Sequence, residues 1–161
     1  MILALMRHGA YNDSVAITTD EKHTLTVKGR NDTLVVAKEL RDKGFHPAKI
    51  VSSPLIRARQ TAEIMAEVLG YEGEIEISDS ILPSAIVQEM NDTVQQYAGY
   101  NDLLLVGHMP SMGSFAHAII TGPVHVNTVM EKSEVIGVNV VDAKDPGEHL
   151  RGTLLWRVTP S

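Results

Sequence analysis

Apolar residues along the chain form short blocks that alternate with stretches of helical periodicity. The short blocks are almost uniformly apolar, which predicts buried strands of a largely parallel sheet; they are Met1–Met6, Lys49–Ser52 and Asp102–Val106. Two later segments, Glu134–Val141 and Thr153–Val158, are rich in β-branched residues and flank the turn-forming Asp145-Pro146-Gly147. They predict a pair of antiparallel strands.

Four segments between the strands carry apolar residues at helical spacing: Thr26–Lys43, Pro54–Leu69, Val87–Tyr97 and Pro110–Ile120. Gly44 and Gly70 are predicted to end the first two helices. Ser53 is placed to cap the second helix, with Pro54 in its first turn. The alternation of strand and helix predicts an α/β fold, a three-layer α/β/α sandwich around a mostly parallel mixed sheet. Its length predicts a single domain over residues 1–161.

Composition excludes several classes of function. The chain has no cysteine, which excludes a disulfide framework, a thiolate zinc site and a cysteine nucleophile. No basic stripe indicates a nucleic-acid partner, and no apolar run reaches the roughly 18 residues of a membrane span. Met1–Met6 is too short for a signal segment, so we expect a cytoplasmic protein. The net charge of −6 repels phosphorylated substrates, so a phosphate site needs a local cluster of positive charge.

Two histidines, His8 and His108, follow directly after predicted strands, and each stands beside a glycine. Both are expected at the rim formed by the carboxyl ends of the strands. Neutral imidazole is a good nucleophile near pH 7 and can carry a phosphoryl group covalently. Arg7 offers a planar fork of donors for phosphate, and Gly9 would let a backbone N–H approach an oxyanion. A histidine such as His108, taken alone, is more often a core or capping residue; its pairing with Arg7-His8-Gly9 favours a functional role.

The segment from Ser52 to Arg57 brings a third strand end and a helix N-terminus to the same rim. A cation at the positive end of a helix dipole is unfavourable unless an anion is bound. We therefore predict that Arg57 is a phosphate ligand, the alternative being a surface ion pair. Arg59 is expected to be solvated or ion-paired. Asn12 and Ser14, in the loop after His8, are further candidates to donate to substrate oxygens.

A metal site is the main rival use of two histidines. Metals that bind phosphate favour carboxylates, and none adjoins His8 or His108 in the sequence, while Arg7 and Arg57 would repel a cation. We therefore predict no metal and no other cofactor. The remaining histidines are expected outside the catalytic group: His23, His46 and His149 in polar loops, His117 on the fourth helix, and His125 as a weaker candidate for the rim.

Four motifs occur in order over most of the chain. They are Arg7-His8-Gly9, Leu25-Thr26-Val27-Lys28-Gly29, the run from Ser53-Pro54 through Arg57-Ala58-Arg59-Gln60-Thr61-Ala62, and Gly107-His108-Met109-Pro110. Together they resemble the histidine phosphatase superfamily, the phosphoglycerate-mutase-like group. The resemblance implies a phosphoglycerate-mutase-like fold and a histidine phosphatase domain. It also implies that His8 is the phosphorylated nucleophile and that Arg7, Arg57 and His108 bind the phosphoryl group.

Within that group the short chain looks most like the SixA-type phosphohistidine phosphatases. Larger members place an acidic proton donor where this chain has Ser84. Glu89 and Asp92 follow on the predicted third helix and remain candidates for that acid. An alkoxide leaving group needs a general acid at pH 7, whereas the nitrogen of a phosphoramidate is readily protonated. A serine at this position therefore favours a substrate with a nitrogen–phosphorus bond.

Two enzymatic functions stay open. The first is a phosphatase that forms a covalent intermediate and removes phosphate from phosphohistidine on signalling proteins. The second is a small phosphomonoesterase that acts on sugar phosphates or other phosphorylated metabolites. The expected partner is accordingly a phosphorylated protein or a small phosphate ester. A non-catalytic phosphate-binding module is a third possibility, which the complete set of presumed catalytic groups disfavours.

Overall fold

The computed structural model describes residues 1–14, 22–121, 129–141 and 148–161. Within these ranges the strands are β1 (Ile2–Arg7), β2 (Lys49–Ser52), β3 (Glu76–Ile77), β4 (Asp102–Gly107), β5 (Val135–Val141) and β6 (Arg151–Val158). The helices are α1 (Val27–Asp42), α2 (Ile56–Leu69), α3 (Val87–Gln96) and α4 (Ser111–Ile119). A 3-10 turn, Asp79–Ile81, follows β3.

The strands form one mixed sheet in the order β3-β2-β4-β1-β5-β6. The strands β3, β2, β4 and β1 run parallel to one another. Strand β5 pairs antiparallel with both β1 and β6. The mostly parallel sheet and the late antiparallel pair are as the sequence predicts. The two-residue strand β3 and the 3-10 turn were not predicted, because segments this short carry no periodicity.

Each face of the sheet is covered by two helices. Alternate residues of β1 point to opposite faces, as the pleat of a strand requires. Leu3 and Leu5 pack with apolar side chains of α3 and α4, whereas Ala4 and Met6 pack with those of α1 and α2. The predicted three-layer arrangement is therefore confirmed. In the part of the chain described, no helix is both long and apolar enough to cross a membrane.

The ends of the first two helices follow the predictions only in part. Gly44 and Gly70 end α1 and α2 with φ of 82° and 68°, the left-handed backbone that glycine adopts without strain. The start of α2 is different: its N-cap is Leu55, with no side-chain capping bond, so neither Ser53 nor Pro54 lies in the helix. The prediction of Ser53 as the cap was wrong because the helix begins only at Ile56; the Ser53 hydroxyl accepts the Leu55 N–H ahead of the helix and faces His108. The predicted turn at Asp145-Pro146-Gly147 lies outside the described residues.

Candidate active site

Three strands end side by side at one edge of the sheet. Arg7 of β1 pairs with Gly107 of β4, and Ser52 of β2 pairs with Val106. The residues that follow continue this pairing, since His8 N–H donates to Gly107 O at 3.0 Å. As a result His8, Ser53 and His108 meet at the carboxyl edge, where open α/β sheets bind their ligands.

His8 is buried, and its imidazole is held in the neutral form. Only 4% of its surface is exposed, and its Nδ1 lies 2.8 Å from Gly9 O. A carbonyl oxygen only accepts, so Nδ1 carries the ring hydrogen and Nε2 keeps its lone pair. Burial lowers the pKa of His8 to about 4, with further lowering by the charges of Arg57, Arg7 and Lys132 and an opposing effect of the bond to Gly9.

His108 lies against His8 and faces Ser53. The two imidazole centroids are 5.0 Å apart, and His108 Nε2 lies 2.7 Å from Ser53 Oγ. Burial, followed by the effects of His8 and the two arginines, lowers the pKa of His108 to about 3, so it too is neutral at pH 7. Its Nδ1 is buried and has no hydrogen-bond partner among the described residues.

The Arg57 guanidinium is buried at the start of α2. It lies in the first turn of the helix with 4% of the residue exposed, and its Cζ stands 4.8 Å from the centroid of the Tyr11 ring. The ring face offsets part of the cost of burying the cation. Tyr11 also meets the His8 ring edge-on, with centroids 5.2 Å apart. Arg57 is thus placed beside the nucleophile at the positive end of a helix, an arrangement that favours an anion.

Arg7 is held by the segment that precedes β5. Its Nη1 donates to Met130 O at 2.7 Å, and its backbone N–H donates to Glu134 O at 3.0 Å. The Glu134 carboxylate, itself buried, is bound by Arg157 Nη2 at 2.7 Å. Burial lowers the pKa of Arg7, but a guanidinium stays charged at neutral pH. Its buried Nε has no partner among the described residues.

Gly9 does not have the role that its backbone N–H was expected to take. That N–H donates to Thr61 Oγ1 at 3.0 Å and is therefore not directed at a substrate oxygen. The lack of a side chain matters instead for packing. A Cβ at Gly9 would stand 3.0 Å from each of Gly29 O, Thr33 Oγ1 and Ser133 Oγ. Gly9 thus allows α1 and the segment before β5 to close around the nucleophile.

Ser14 and the candidate acids are exposed. The backbone N–H of Ser14 donates to Asn12 Oδ1 at 3.0 Å, and both residues lie on the surface beyond His8. Glu89 Oε2 accepts the Ile86 N–H at the start of its own helix. Asp92 accepts from Gln88 Nε2 at 2.8 Å. The two carboxylates are therefore engaged along α3, and the structure gives neither of them a contact with His8.

The other histidines stand apart from the catalytic group, with one exception. His46, His117 and His149 are exposed, as is Arg59, while His125 lies outside the described residues. His23, expected in a solvated loop, is half-buried and stacks on Tyr11 with ring centroids 5.5 Å apart. In the described part of the chain, no cluster of three or more His, Asp or Glu side chains is arranged to hold a metal ion.

Several residues of the site were missed by reasoning from the sequence. Tyr11 and Lys132 carry no motif that could have revealed them. Ser53 and Thr61 lie within a recognised motif, but their partners are more than fifty residues away. Ser133 is buried with φ of 66°, and its N–H lies 3.1 Å from both Arg7 O and His8 O. This non-glycine residue in the left-handed region marks a tightly determined backbone around the nucleophile.

Comparison with known proteins places the chain in a family. Residues 3–81 match the model of the histidine phosphatase superfamily (branch 1). The chain belongs to this superfamily. An uncharacterized protein of Picosynechococcus is 34% identical over 141 residues, which are 86% of this chain and 84% of that protein. The phosphohistidine phosphatase SixA of Escherichia coli is 22% identical over 99% of this chain and 94% of its own length.

A solved structure of the protein histidine phosphatase SixA complexed with tungstate has the same fold, with a TM-score of 0.86 and 22% identity over 99% of this chain and 97% of that one. The phosphoglycerate-mutase-like fold expected from the sequence is thereby confirmed. The chain is thus similar to SixA in fold and in length.

Proposed function

We propose that the protein is a phosphohistidine phosphatase that forms a covalent intermediate on His8. The observation that carries the proposal is the state of the His8 imidazole. Its Nδ1–H is given to Gly9 O and burial lowers its pKa to about 4, so the Nε2 lone pair is available at neutral pH. Arg7, Arg57 and His108 surround this nucleophile with donors for the phosphoryl oxygens.

The reaction has two displacements. In the first, His8 Nε2 forms a bond to phosphorus as the bond from phosphorus to the leaving nitrogen breaks, and that nitrogen departs with its electron pair and a proton. In the second, water attacks phosphorus, the bond to Nε2 breaks, and inorganic phosphate leaves. The guanidiniums and the His108 Nδ1–H stabilise charge on the equatorial oxygens in both steps.

The leaving group is the basis for the choice of substrate. Glu89 and Asp92 are bound along α3, and Glu134 is bound to Arg157. A nitrogen leaving group accepts its proton from water more easily than an alkoxide does. The likeness to SixA supports the same choice. We propose phosphohistidine on a protein, such as a signalling protein, as the substrate, and the cytoplasm as the place of action.

Comparative kinetics test this proposal. The rate of phosphate release is measured with a phosphohistidine peptide and with a panel of sugar phosphates and other phosphomonoesters. We expect kcat/KM for the peptide to exceed that for every ester, and His8→Ala to abolish both activities. His117→Ala, on the exposed face of α4, is the matched control and should keep the wild-type rate. Faster turnover of a sugar phosphate would replace the proposal with the phosphomonoesterase alternative.

A further inference from the structure

A groove of about 650 Å³ opens beside the phosphate site. Arg7, which lies next to the nucleophile, forms one part of its lining. The rest includes Ala10, Lys28, Asp32, Glu131 and Lys132. Because Arg7 lines the groove and its charge also acts on His8, the groove is within reach of the groups that neighbour a phosphate at His8.

The backbone next to Lys132 is hydrogen-bonded to the backbone at His8. The next residue, Ser133, directs its N–H at Arg7 O and His8 O, each at 3.1 Å. Its hydroxyl meets Thr33 Oγ1 of α1 at 3.1 Å, and the residue is fully buried. The position of the Lys132 backbone relative to His8 is therefore fixed by the same contacts that hold the catalytic loop.

The Lys132 side chain turns toward the reacting group. Its Nζ lies 5.2 Å from the centroid of the Tyr11 ring, and that ring lies 5.2 Å from the His8 ring. The charge of Lys132 contributes to the lowered pKa of His8, after burial and the two arginines. The residue is nevertheless exposed, so its ammonium remains accessible to a bound molecule.

Lys132 and Lys28 both line the groove, but they differ in their ion pairing. Lys28 Nζ pairs with Asp32 Oδ2 at 2.5 Å across one helical turn. Among the described residues no carboxylate forms an ion pair with Lys132. Glu131 lines the groove as well and limits its net positive charge. Lys132 is thus the cation of the groove, besides Arg7, that is available to an anion.

We propose that Lys132 is a specificity-determining residue that binds a substrate carboxylate close to the phosphorylated group. The inference rests on the proposed function and narrows its substrate class to phosphohistidine with an acidic residue nearby in the polypeptide. The Lys132 ammonium lies over the Tyr11 ring and outside the group of phosphate donors. It therefore pairs with a carboxylate without placing a further charge in the phosphate pocket. In a chain of net charge −6, such a local cation is needed to hold an acidic partner.

The test uses phosphohistidine peptides that carry either Glu or Gln at one position near the phosphohistidine, scanned over both sides. For the wild type we expect KM to be about fivefold lower with Glu at one of these positions, the effect of one exposed ion pair. Lys132→Met should remove this preference and Lys132→Arg should keep it. Lys38→Met, which removes an exposed lysine of α1 that does not line the groove, is the matched control and should leave the preference unchanged. The preference should shrink at about 0.5 M salt, where the Debye length is only a few ångströms.

A second pair of substrates, phosphoglycerate and glycerol phosphate, distinguishes a peptide carboxylate from that of a small metabolite. Loss of the Glu preference in Lys132→Met with peptides supports the inference, whereas a carboxylate preference confined to the small esters overturns it. Equal KM for Glu and Gln peptides in the wild type also overturns it and leaves the proposed function intact. Failure of the wild type to hydrolyse any peptide overturns the proposed function and this inference with it.

Discussion

His108 Nε2 lies 2.7 Å from the hydroxyl oxygen of Ser53, and that oxygen accepts the Leu55 N–H at 3.2 Å. Ser53 is buried and the described contacts give its hydroxyl hydrogen no other acceptor, so the hydroxyl is satisfied as a donor only if it donates to Nε2. We infer that His108 carries its own hydrogen on Nδ1, the nitrogen without a partner among the described residues. The motif serine thereby selects the tautomer in which His108 donates to a phosphoryl oxygen.

Loss of this contact should impair catalysis more than binding. We expect Ser53→Ala to lower kcat about tenfold, equivalent to the contribution of about one hydrogen bond, with a smaller change in KM. Ser52→Ala is the matched control, because Ser52 is equally buried and its hydroxyl donates only to the Ser53 carbonyl among the described contacts. Steady-state kinetics on both variants checks the prediction, and equal losses of kcat would contradict the assigned tautomer.

Arg57 is expected to contribute much of the stabilisation of the transferring phosphoryl group. Because it is buried beside His8 at the start of α2, Arg57→Ala should lower kcat by about 10²–10³, as loss of one strong oxyanion donor does. Arg59→Ala removes the same kind of side chain from the exposed face of the same helix. Its kcat should stay within about twofold of the wild type, since surface ion pairs contribute little.

The pH dependence of stability should report the buried state of His8. Its folded pKa of about 4 lies below the usual value of 6.5, so the unfolded chain binds the proton first as pH falls. The free energy of unfolding should therefore decline as pH falls from about 6.5 to about 4, by roughly 3 kcal/mol from this residue. Above pH 6.5 the contribution of His8 is fully present.

Denaturant unfolding of wild type and His8→Asn across this pH range measures the effect. The variant should show a shallower decline, with the buried His108 accounting for part of what remains. Titration of the His8 ring by NMR provides an independent check. The structure describes His8 as buried; a midpoint near 6.5 for its ring in the free enzyme would show that the imidazole is instead open to solvent.

Gly9 should be needed for packing. An alanine methyl group there would stand 3.0 Å from a backbone oxygen and two hydroxyl oxygens, so Gly9→Ala should destabilise the protein by about 1–3 kcal/mol. Gly99 offers the matched control, because a Cβ there meets no atom within 4 Å. Thermal or urea unfolding distinguishes the two; a neutral Gly9→Ala would show that the loop is less crowded than described.

The positions of His8, Arg57 and His108 were predictable because each follows a strand or begins a helix whose pattern is local. His8 and His108 come directly after apolar blocks, and parallel pairing then brings both to one edge of the sheet. The hydrogen-bond partner of the Gly9 N–H was not predictable, because it is the hydroxyl of Thr61, fifty-two positions away.

Other features of the site depend on packing between distant segments and leave no pattern in the sequence. Tyr11 is placed by contacts with Arg57 and His23, and Lys132 by the backbone of Ser133. A serine before a helix suits a cap by local rules, so Ser53 was predicted as one. The helix begins only at Ile56, however, and the Ser53 hydroxyl faces His108, which follows another strand.

Direct detection of the covalent intermediate tests the central claim. A phosphohistidine peptide carrying labelled phosphate is mixed with the enzyme, and the reaction is stopped during turnover with alkaline denaturant, which preserves the nitrogen–phosphorus bond. We predict that peptide mapping by mass spectrometry places one phosphoryl group on His8 and that His8→Ala carries none. Label on another residue, or an unlabelled wild-type enzyme that still releases phosphate, would contradict the assignment of His8 as the nucleophile.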